Sequence, residues 1–169
     1  MGQRASRARQ EWANERPDLD ADIMALAGRL LEAAHRLERD WLAPLASRFG
    51  LQIGEFDVLA TLRRAGQPYA LTPTALHEAL LLSSGAMTSR LDHLQRKGWI
   101  ERLPDPHDRR SVRVQLTPAG IDLLDTLLPL HVENEQRAFG GIDAREQRQL
   151  DALLTRLLEG LNAPRPTTE

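Results

Sequence analysis

Apolar residues recur along most of this chain with the 3.6-residue period of an amphipathic helix. The longest such stretch runs from Asp18 to Arg48 and stops at Phe49-Gly50, where a glycine suits a helix C-terminus. Capping side chains, prolines or glycines mark the ends of the other stretches, and Asp143 with Glu146 forms a capping-box signature before the last of them. The segments predicted to be helical are 18–48, 53–64, 72–80, 83–97, 117–139 and 143–161.

The period changes from 3.6 to 2 between the fourth and the fifth of these helices. The segment 99–103 is predicted to be extended, and 112–116 alternates apolar with polar residues, as a half-buried strand does. Between them, the seven residues 104–110 are prolines, charged residues and a histidine. The two strands are therefore predicted to form a hairpin with a charged, projecting loop.

Composition excludes several classes of protein. With 41% hydrophobic and 27% charged positions among 169 residues, the chain can bury one or two modest cores. No apolar run approaches the roughly 18 residues that span a bilayer. The arginine-rich residues 1–16 are not followed by the apolar part of a secretory signal, so a cytoplasmic protein is expected. The chain has no cysteine, which excludes disulfides, thiolate metal sites and thiol-based redox sensing.

The distribution of charge is uneven, although the net charge of the chain is only −2. The segment 83–116 contains seven basic and four acidic side chains, which is a local positive excess within an acidic protein. Such an excess is typical of a face that binds a polyanion. On charge alone, an ordinary solvated surface would be the simpler interpretation.

The order of the predicted elements resolves this ambiguity. Two short helices joined near residues 80–82 and followed by a hairpin with a basic tip form the order of a winged helix-turn-helix. The predicted fold class is therefore mainly α, a winged helix-turn-helix between long N- and C-terminal helices. The candidate DNA-binding residues are Ser84, Gly85, Thr88 and Ser89 on the second helix, and Asp108, Arg109 and Arg110 at the wing tip.

Each candidate residue type suits a contact with DNA. Hydroxyl groups on the second helix can reach base edges or phosphates in the major groove without adding bulk. Arg109 and Arg110 can enter a narrow minor groove, where the negative potential is strongest. Asp108 would repel phosphate if free, so it is expected to fix the loop by pairing with an arginine. The alternative is an ordinary surface helix with a solvated turn.

Five sequence blocks carry a resemblance to a known family. They are Ser84 to Asp92, Gly98 to Arg102, Asp105-Pro106, Asp108 to Ser111, and Leu116 to Gly120. In this order and combination they resemble the MarR family of bacterial transcriptional regulators over roughly residues 20 to 160. The resemblance implies an obligate homodimer, in which the first and last long helices form the dimerisation domain. It also implies repression that a small, often anionic, ligand relieves.

The long helices point to a dimer independently of the resemblance. They carry more apolar surface than one small helix-turn-helix unit can cover, and a second copy is the simplest cover. Two symmetry-related recognition helices predict an operator, in double-stranded DNA, that is an imperfect palindrome. The predicted organisation is an N-terminal extension (1–17), dimerisation helices (18–50 and 118–162), a DNA-binding domain (51–117) and a flexible tail (163–169).

A second resemblance concerns the urate-responsive subgroup of this family, which has an additional N-terminal helix and a four-residue ligand site. Residues 7–16 match the additional helix. The matches to the ligand site are Trp12, Asp57, Arg90 and Arg102. From the residues alone, Asp57 is a carboxylate on a core helix that needs a cationic partner, and Arg90 is a suitable one. An ion pair that only stabilises the fold, with Trp12 simply packed, is the alternative.

Enzymatic activity is not expected. The chain contains no GxGxxG, P-loop, HExxH or GxSxG motif. The five histidines fall in different elements without ligand-like spacing, so neither a metal nor another cofactor is expected. Two alternatives to a urate-responsive repressor stay open: a MarR-type regulator that answers another aromatic acid, and a helical protein-interaction module, which would not account for the basic wing.

Overall fold

The computed structural model describes residues 3–80, 84–105 and 111–162, in which the chain forms eight α-helices and three β-strands. The predicted fold class, a mainly helical winged helix-turn-helix, is confirmed. The helices are α1 (Gln3–Glu15), α2 (Ala21–Arg36), α3 (Ala43–Arg48), α4 (Ile53–Arg64), α5 (Pro73–Leu80), α6 (Ser84–Arg96), α7 (Pro118–Ala138) and α8 (Ala144–Asn162). The strands are β1 (Ala70–Leu71), β2 (Ile100–Pro104) and β3 (Val112–Leu116).

The long helix predicted over 18–48 is a continuous helical path. It consists of α2, a π-helical segment (Leu37–Leu42) and α3. The path begins at Ala21 rather than at Asp18, because the carboxylate of Asp20 accepts hydrogen bonds from two backbone N–H groups of the first turn. This cap fixes the direction in which α2 leaves the preceding turn.

The N-terminal extension contains a helix of its own, α1, which is longer than the predicted segment 7–16. α1 packs along α2, and the small side chains of Ala5 and Ala25 are buried at 7% and 4% exposure. An exposed ion pair at 3.0 Å between Arg9 and Asp22 adds to this contact. Since exposed pairs contribute only about 0.2–1 kcal/mol, the packing of small residues is the main tie between the two helices.

The core lies between α4 and the elements around it, which are α5, α6, α7 and the sheet. Helix α4 contributes Val58, Leu59 and Leu62, all at 0% exposure. The other fully buried apolar side chains are Leu76, Leu94, Ile100, Val114, Leu124 and Leu127. Burial stabilises each such side chain by about 1.5–3 kcal/mol. The helix-turn-helix is thus anchored by many contacts to a single central helix.

The sheet is antiparallel with the strand order β1-β3-β2. The predicted hairpin is present, and its register runs from Ile100 opposite Leu116 to Pro104 opposite Val112. The third strand, β1, was not predicted, because two residues are too few to show a period. Its pairing with β3 attaches the start of the helix-turn-helix to the wing.

Helix α7 begins where the wing ends, and the two come into close contact at Gly120. The Thr117 hydroxyl accepts a hydrogen bond from the Gly120 N–H (3.1 Å) and donates one to the carbonyl oxygen of Gly98 (2.7 Å). A Cβ atom added to Gly120 would lie 2.1 Å from the carbonyl oxygen of Trp99. Because this oxygen belongs to the backbone, it cannot turn aside, and only glycine permits the contact.

Helix α8 starts with the predicted capping box, in which Asp143 and Glu146 each accept a hydrogen bond from the other's backbone N–H at 2.8 Å.

Two stripes of apolar residues, one on α8 and one on α2, lie uncovered within a single chain. No residue of α8 is buried. Its exposed leucines are Leu150, Leu153, Leu157, Leu158 and Leu161. The exposed apolar residues of α2 are Ile23, Met24, Leu26, Leu30 and Leu31.

Membrane insertion would need a long, uniformly apolar helix. None of the helices within the three described ranges combines the length and apolar character needed to cross a bilayer.

Candidate nucleic-acid interface and ligand site

Helix α6 turns a polar face outward, as the sequence predicts. Gly85, Thr88 and Ser89 are exposed on that face. The backbone of Ser84 starts the helix, whereas its side chain lies outside the described part of the structure. Three apolar residues on the opposite face are buried at 3% exposure or less: Met87, Leu91 and Leu94. Gly85, Thr88 and Ser89 therefore share one accessible surface.

The first turn of α6 leaves space for a close approach by a phosphate or a base edge. A Cβ atom added to Gly85 would meet nothing within 4 Å, so this position carries no bulk and has open space in front of it. The first turn also holds no acidic residue. The positive end of the helix dipole is therefore not neutralised there, which favours an anion.

The side chain of Arg102 joins the wing to α6. From β2, its Nη2 donates to Asp92 Oδ1 at 2.6 Å and its Nη1 donates to Gln95 Oε1 at 2.9 Å. Two parallel hydrogen bonds from one guanidinium fix both distance and orientation. Arg102 thus neutralises an acidic residue on the outward face of α6 and holds the first strand of the wing against that helix.

The base of the wing is held by a second arginine, Arg113 of β3. Its Nη2 donates to the carbonyl oxygen of Ala70 at 3.2 Å, and its Nε lies 3.9 Å from Asp105 Oδ2. These contacts connect β3 to β1 and to the residue that follows β2. The predicted tip residues Asp108, Arg109 and Arg110 lie outside the described residues, so their roles stay predictions.

A buried carboxylate fixes the far end of α6 to the start of α4. Glu55 is only 1% exposed, and its carboxylate contacts His93 Nδ1, accepts a hydrogen bond from the Gln52 N–H at 2.9 Å and lies 3.4 Å from Lys97 Nζ. Burial alone would raise the pKa of Glu55. The Gln52 N–H and the His93 and Lys97 side chains outweigh burial, and the pKa of Glu55 is lower than usual. The carboxylate is therefore held in its charged form.

Asp57 and Arg90 are neighbours, but they do not form the expected ion pair. No N–O contact within 4.0 Å joins them in the described structure. Burial raises the pKa of Asp57, and the charge of Arg90, followed by that of His131, opposes the rise without overcoming it. Glu38 raises this pKa further, and Arg64 lowers it. A carboxyl group with a raised pKa thus lies beside an arginine.

Trp12 lies in a different place from this pair. Its side chain is 43% exposed and lines a cavity of about 440 Å³ between α1 and α2. The lining residues are Arg4, Ala5, Ala8, Arg9, Trp12, Met24, Ala25, Gly28, Leu31, Glu32 and His35. Within one chain, then, the structure brings Asp57 and Arg90 together, places Trp12 on the α1–α2 cavity and places Arg102 on the outer face of α6.

The raised pKa of Asp57 gives a testable dependence of stability on pH. The folded state holds this proton more tightly than the unfolded state, so its stabilising contribution is complete at low pH and is lost as the pH rises through the folded-state pKa. We expect Asp57→Asn to gain in free energy of unfolding relative to the wild type between pH 4 and pH 7. Urea denaturation of both proteins across this range measures the difference in their free energies of unfolding. Glu55, whose lowered pKa gives the opposite dependence on pH, is present in both proteins, so its contribution cancels. A difference that is constant with pH would contradict the prediction.

Comparison with known proteins places this geometry in a family. A family model described as "MarR family" matches residues 49–111. The HTH-type transcriptional regulator PecS of Dickeya dadantii (strain 3937) is 43% identical over 148 residues, which cover 88% of this chain and 89% of that protein. The chain belongs to the MarR family. The multiple antibiotic resistance protein MarR of Escherichia coli (strain K12) is 34% identical to this MarR-family chain over 146 residues, covering 83% and 96%.

Solved structures of E. coli MarR agree with this assignment. The apo form of wild-type MarR has a TM-score of 0.65 at 32% identity and covers 78% of this chain and 96% of its own. A MarR mutant complexed with operator DNA has a TM-score of 0.71 at 30% identity and covers 87% and 97%. The expectation that the chain is not an enzyme is confirmed by these relatives. The likeness is to the MarR family as a whole and does not single out its urate-responsive subgroup.

Some residues that shape the site in this MarR-family chain were missed by sequence reasoning. Glu55 lies three residues after Gln52, which is the spacing of a capping box and could have been detected. Its contacts with His93 and Lys97 join positions about 40 residues apart, so no local sequence pattern predicts these contacts. No group of three or more metal-ligating side chains occurs in the part of the chain that the structure describes.

Proposed function

We propose that this chain is a homodimeric transcriptional repressor that binds an imperfect palindromic operator in the cytoplasm and leaves it when urate or a related anionic purine binds. The observation that carries the DNA-binding part is the outer face of α6. There, Gly85, Thr88 and Ser89 are exposed beside a wing that Arg102 holds in place. The similarity to a MarR protein whose structure contains operator DNA supports the same part.

In the proposed complex, α6 enters the major groove. The hydroxyls of Ser84, Thr88 and Ser89 contact base edges or phosphates, while Gly85 lets the start of the helix approach closely. Arg109 and Arg110 at the wing tip reach the adjacent minor groove, and Asp108 orients the tip. Two such units related by a twofold axis place their α6 helices about 34 Å apart, which is one turn of DNA.

Asp57 and Arg90 support the ligand-binding part. The side chain of Arg90 makes no ion pair or hydrogen bond in the described structure, so its fork of N–H donors is available to a planar anion such as urate. Asp57 would repel an anion while charged. Its raised pKa lowers that barrier, because the carboxyl group can take up a proton when the anion binds.

The link from ligand to DNA runs through α6, since Arg90 lies on the same helix as the DNA-contacting residues. An anion that binds the Arg90 side chain favours an arrangement of α6 that differs from the one bound to the operator. Allosteric release requires such a difference. Trp12 and Arg102 complete the proposed ligand set. In a single chain they act at a distance from Asp57, Trp12 through the packing of α1 on α2 and Arg102 through its contact with Asp92.

A mobility-shift titration with the gene's own upstream DNA tests the DNA-binding part. We expect Arg109→Ala and Arg110→Ala each to weaken binding by about 1–3 kcal/mol at a fixed salt concentration, because each removes a cationic contact. Arg137→Ala removes an exposed arginine of α7 that pairs with Glu133 and serves as the control. If both wing variants bind as tightly as the wild type, the wing has no part in the mechanism.

The same titration with urate, xanthine and salicylate added in turn tests the ligand-binding part. Urate should weaken DNA binding by the wild type, and Trp12→Phe, Asp57→Ser, Arg90→Ser and Arg102→Ser should each reduce the response. A response to salicylate but not to urate would favour the alternative, a regulator of another aromatic acid. Calorimetry without urate binding at millimolar concentration, or a full response in Asp57→Ser and Arg102→Ser, would refute the proposed site.

A further inference from the structure

The guanidinium group of Arg90 occupies the space that a side chain at position 54 would fill. A Cβ atom added to Gly54, in the first turn of α4, would lie 2.2 Å from Cζ, 2.4 Å from Nη2 and 2.7 Å from Nε of Arg90. Real Cβ atoms essentially never come so close to another heavy atom. The guanidinium therefore lies against the backbone of α4 in a recess, here called the Gly54 recess, that exists only because residue 54 is glycine.

The Gly54 recess lies next to Asp57. Residues three apart on a helix are neighbours on the same face, so Gly54 and Asp57 border the same strip of α4. Gly54 is itself buried, and Asp57 and Arg90 are half-buried. The Arg90 guanidinium packs against the backbone of Gly54, and its side chain makes no hydrogen bond or ion pair in the described structure.

We propose that Gly54 is a positioning residue of the ligand site. Because it has no side chain, it leaves the space in which the Arg90 guanidinium lies against α4 and beside Asp57. The inference deepens the proposed function, on which it rests for the nature of the ligand. Its geometric part, the placement of Arg90 by Gly54, stands without a ligand.

Two features explain why this position matters for a response that passes from α4 to α6. Arg90 belongs to α6 and Gly54 to α4, so α6, the helix proposed to enter the major groove, contacts α4 at the Gly54 recess. A guanidinium that is packed but not paired can also be drawn out without breaking an ion pair. An anion that binds Arg90 thus changes the packing between the two helices at low cost.

The first test measures the pKa of the Asp57 carboxyl group by carbon-13 NMR in the full-length, ligand-free protein. Burial raises this pKa in the wild type, and the positive charge of Arg90 opposes part of the rise. We expect Gly54→Ala to raise the pKa, because the new Cβ displaces the guanidinium and the end of a flexible side chain can move. Arg90→Ala should raise it as well. In the Arg90→Ala background, Gly54→Ala should have no further effect.

Gly141→Ala is the matched control, since a Cβ atom added there, in the turn between α7 and α8, would meet nothing within 4 Å. It should leave the pKa of Asp57 unchanged. The inference is overturned if Gly54→Ala leaves this pKa at its wild-type value, or if Gly54→Ala changes the pKa equally with and without Arg90. A structural change of α4 alone would give the second result.

The second test measures urate affinity by calorimetry in the same variants. We expect Gly54→Ala to weaken urate binding about tenfold, as the loss of a charge-assisted contact would, and to add nothing in the Arg90→Ala background. If the wild type does not bind urate, the proposed ligand fails while the NMR series still decides the role of Gly54. If urate binds Gly54→Ala as tightly as the wild type, Gly54 does not position Arg90 for this ligand.

Discussion

Removing α8 is expected to abolish dimerisation and to weaken operator binding by at least about a hundredfold. A chain that ends at Ile142 loses the leucine-rich stripe and leaves the exposed apolar residues of α2 without their proposed cover. Two linked DNA-binding units gain roughly 100- to 10,000-fold in affinity over one unit, and a monomer forfeits this gain. Sedimentation analysis gives the assembly state, and footprinting gives the occupancy of each half-site.

Two further variants separate dimerisation from folding. A chain that ends at Asn162 removes only residues beyond α8 and should behave like the wild type. Leu157→Asp combined with Leu161→Asp keeps the helix but places charges on its exposed stripe, where the two leucines are 42% and 68% exposed. This variant should be folded and monomeric. A soluble, monomeric truncation that still protects the full operator would refute the proposed assembly.

Gly120→Ala is expected to destabilise the fold by about 2–3 kcal/mol, which is typical of an overpacked site. The added Cβ would lie 2.1 Å from the carbonyl oxygen of Trp99, and relief requires a shift of α7 or of the backbone that leads into β2. For a chain of this size, the loss corresponds to a fall in melting temperature of roughly 4–12 °C. Thermal denaturation followed by circular dichroism measures it.

The comparison with Gly54→Ala tests the reason for this loss. At Gly54 the added Cβ meets the end of an arginine side chain, which can move, whereas at Gly120 it meets backbone. Gly54→Ala should therefore lower the melting temperature much less than Gly120→Ala. Gly141→Ala, with open space around it, should raise stability slightly, because alanine has fewer conformations than glycine in the unfolded chain. Equal melting temperatures for Gly120→Ala and Gly141→Ala would contradict this explanation.

Local patterns were sufficient to predict most of the fold. The helix at Ile53–Arg64 and the capping box at Asp143 depend on residues close in sequence, and both occur at the predicted positions. The start of α2 was placed three residues too early because Asp18 and Asp20 are both suitable caps, and only Asp20 makes the hydrogen bonds. The strand β1 depends on β3, more than 40 residues away, and has no local signal.

The candidate site was predictable in its residue types and less so in its geometry. The outward face of α6 follows from a period of 3.6, and Gly85, Thr88 and Ser89 are exposed as expected. The pairing of Arg90 with Asp57 was inferred from charge alone. Charge does not show that a backbone recess can hold an arginine without a carboxylate partner. Arg102 was assigned to the ligand by resemblance, and its neighbours Asp92 and Gln95 are known only from the packing of β2 on α6.

The contact between Arg102 and Asp92 has a consequence for the energetics of DNA association. Lys97 also lies near the carboxylate of Glu55, and Arg113 lies near that of Asp105. Three of the seven basic side chains between residues 83 and 116 are therefore balanced by carboxylates within the protein. Balanced charges displace few of the cations condensed on DNA, and the gain in entropy from that displacement is correspondingly small. We therefore expect Lys97, Arg102 and Arg113 to contribute little to the binding of nonspecific DNA, and substitution of any of them to change the salt dependence of that binding only slightly.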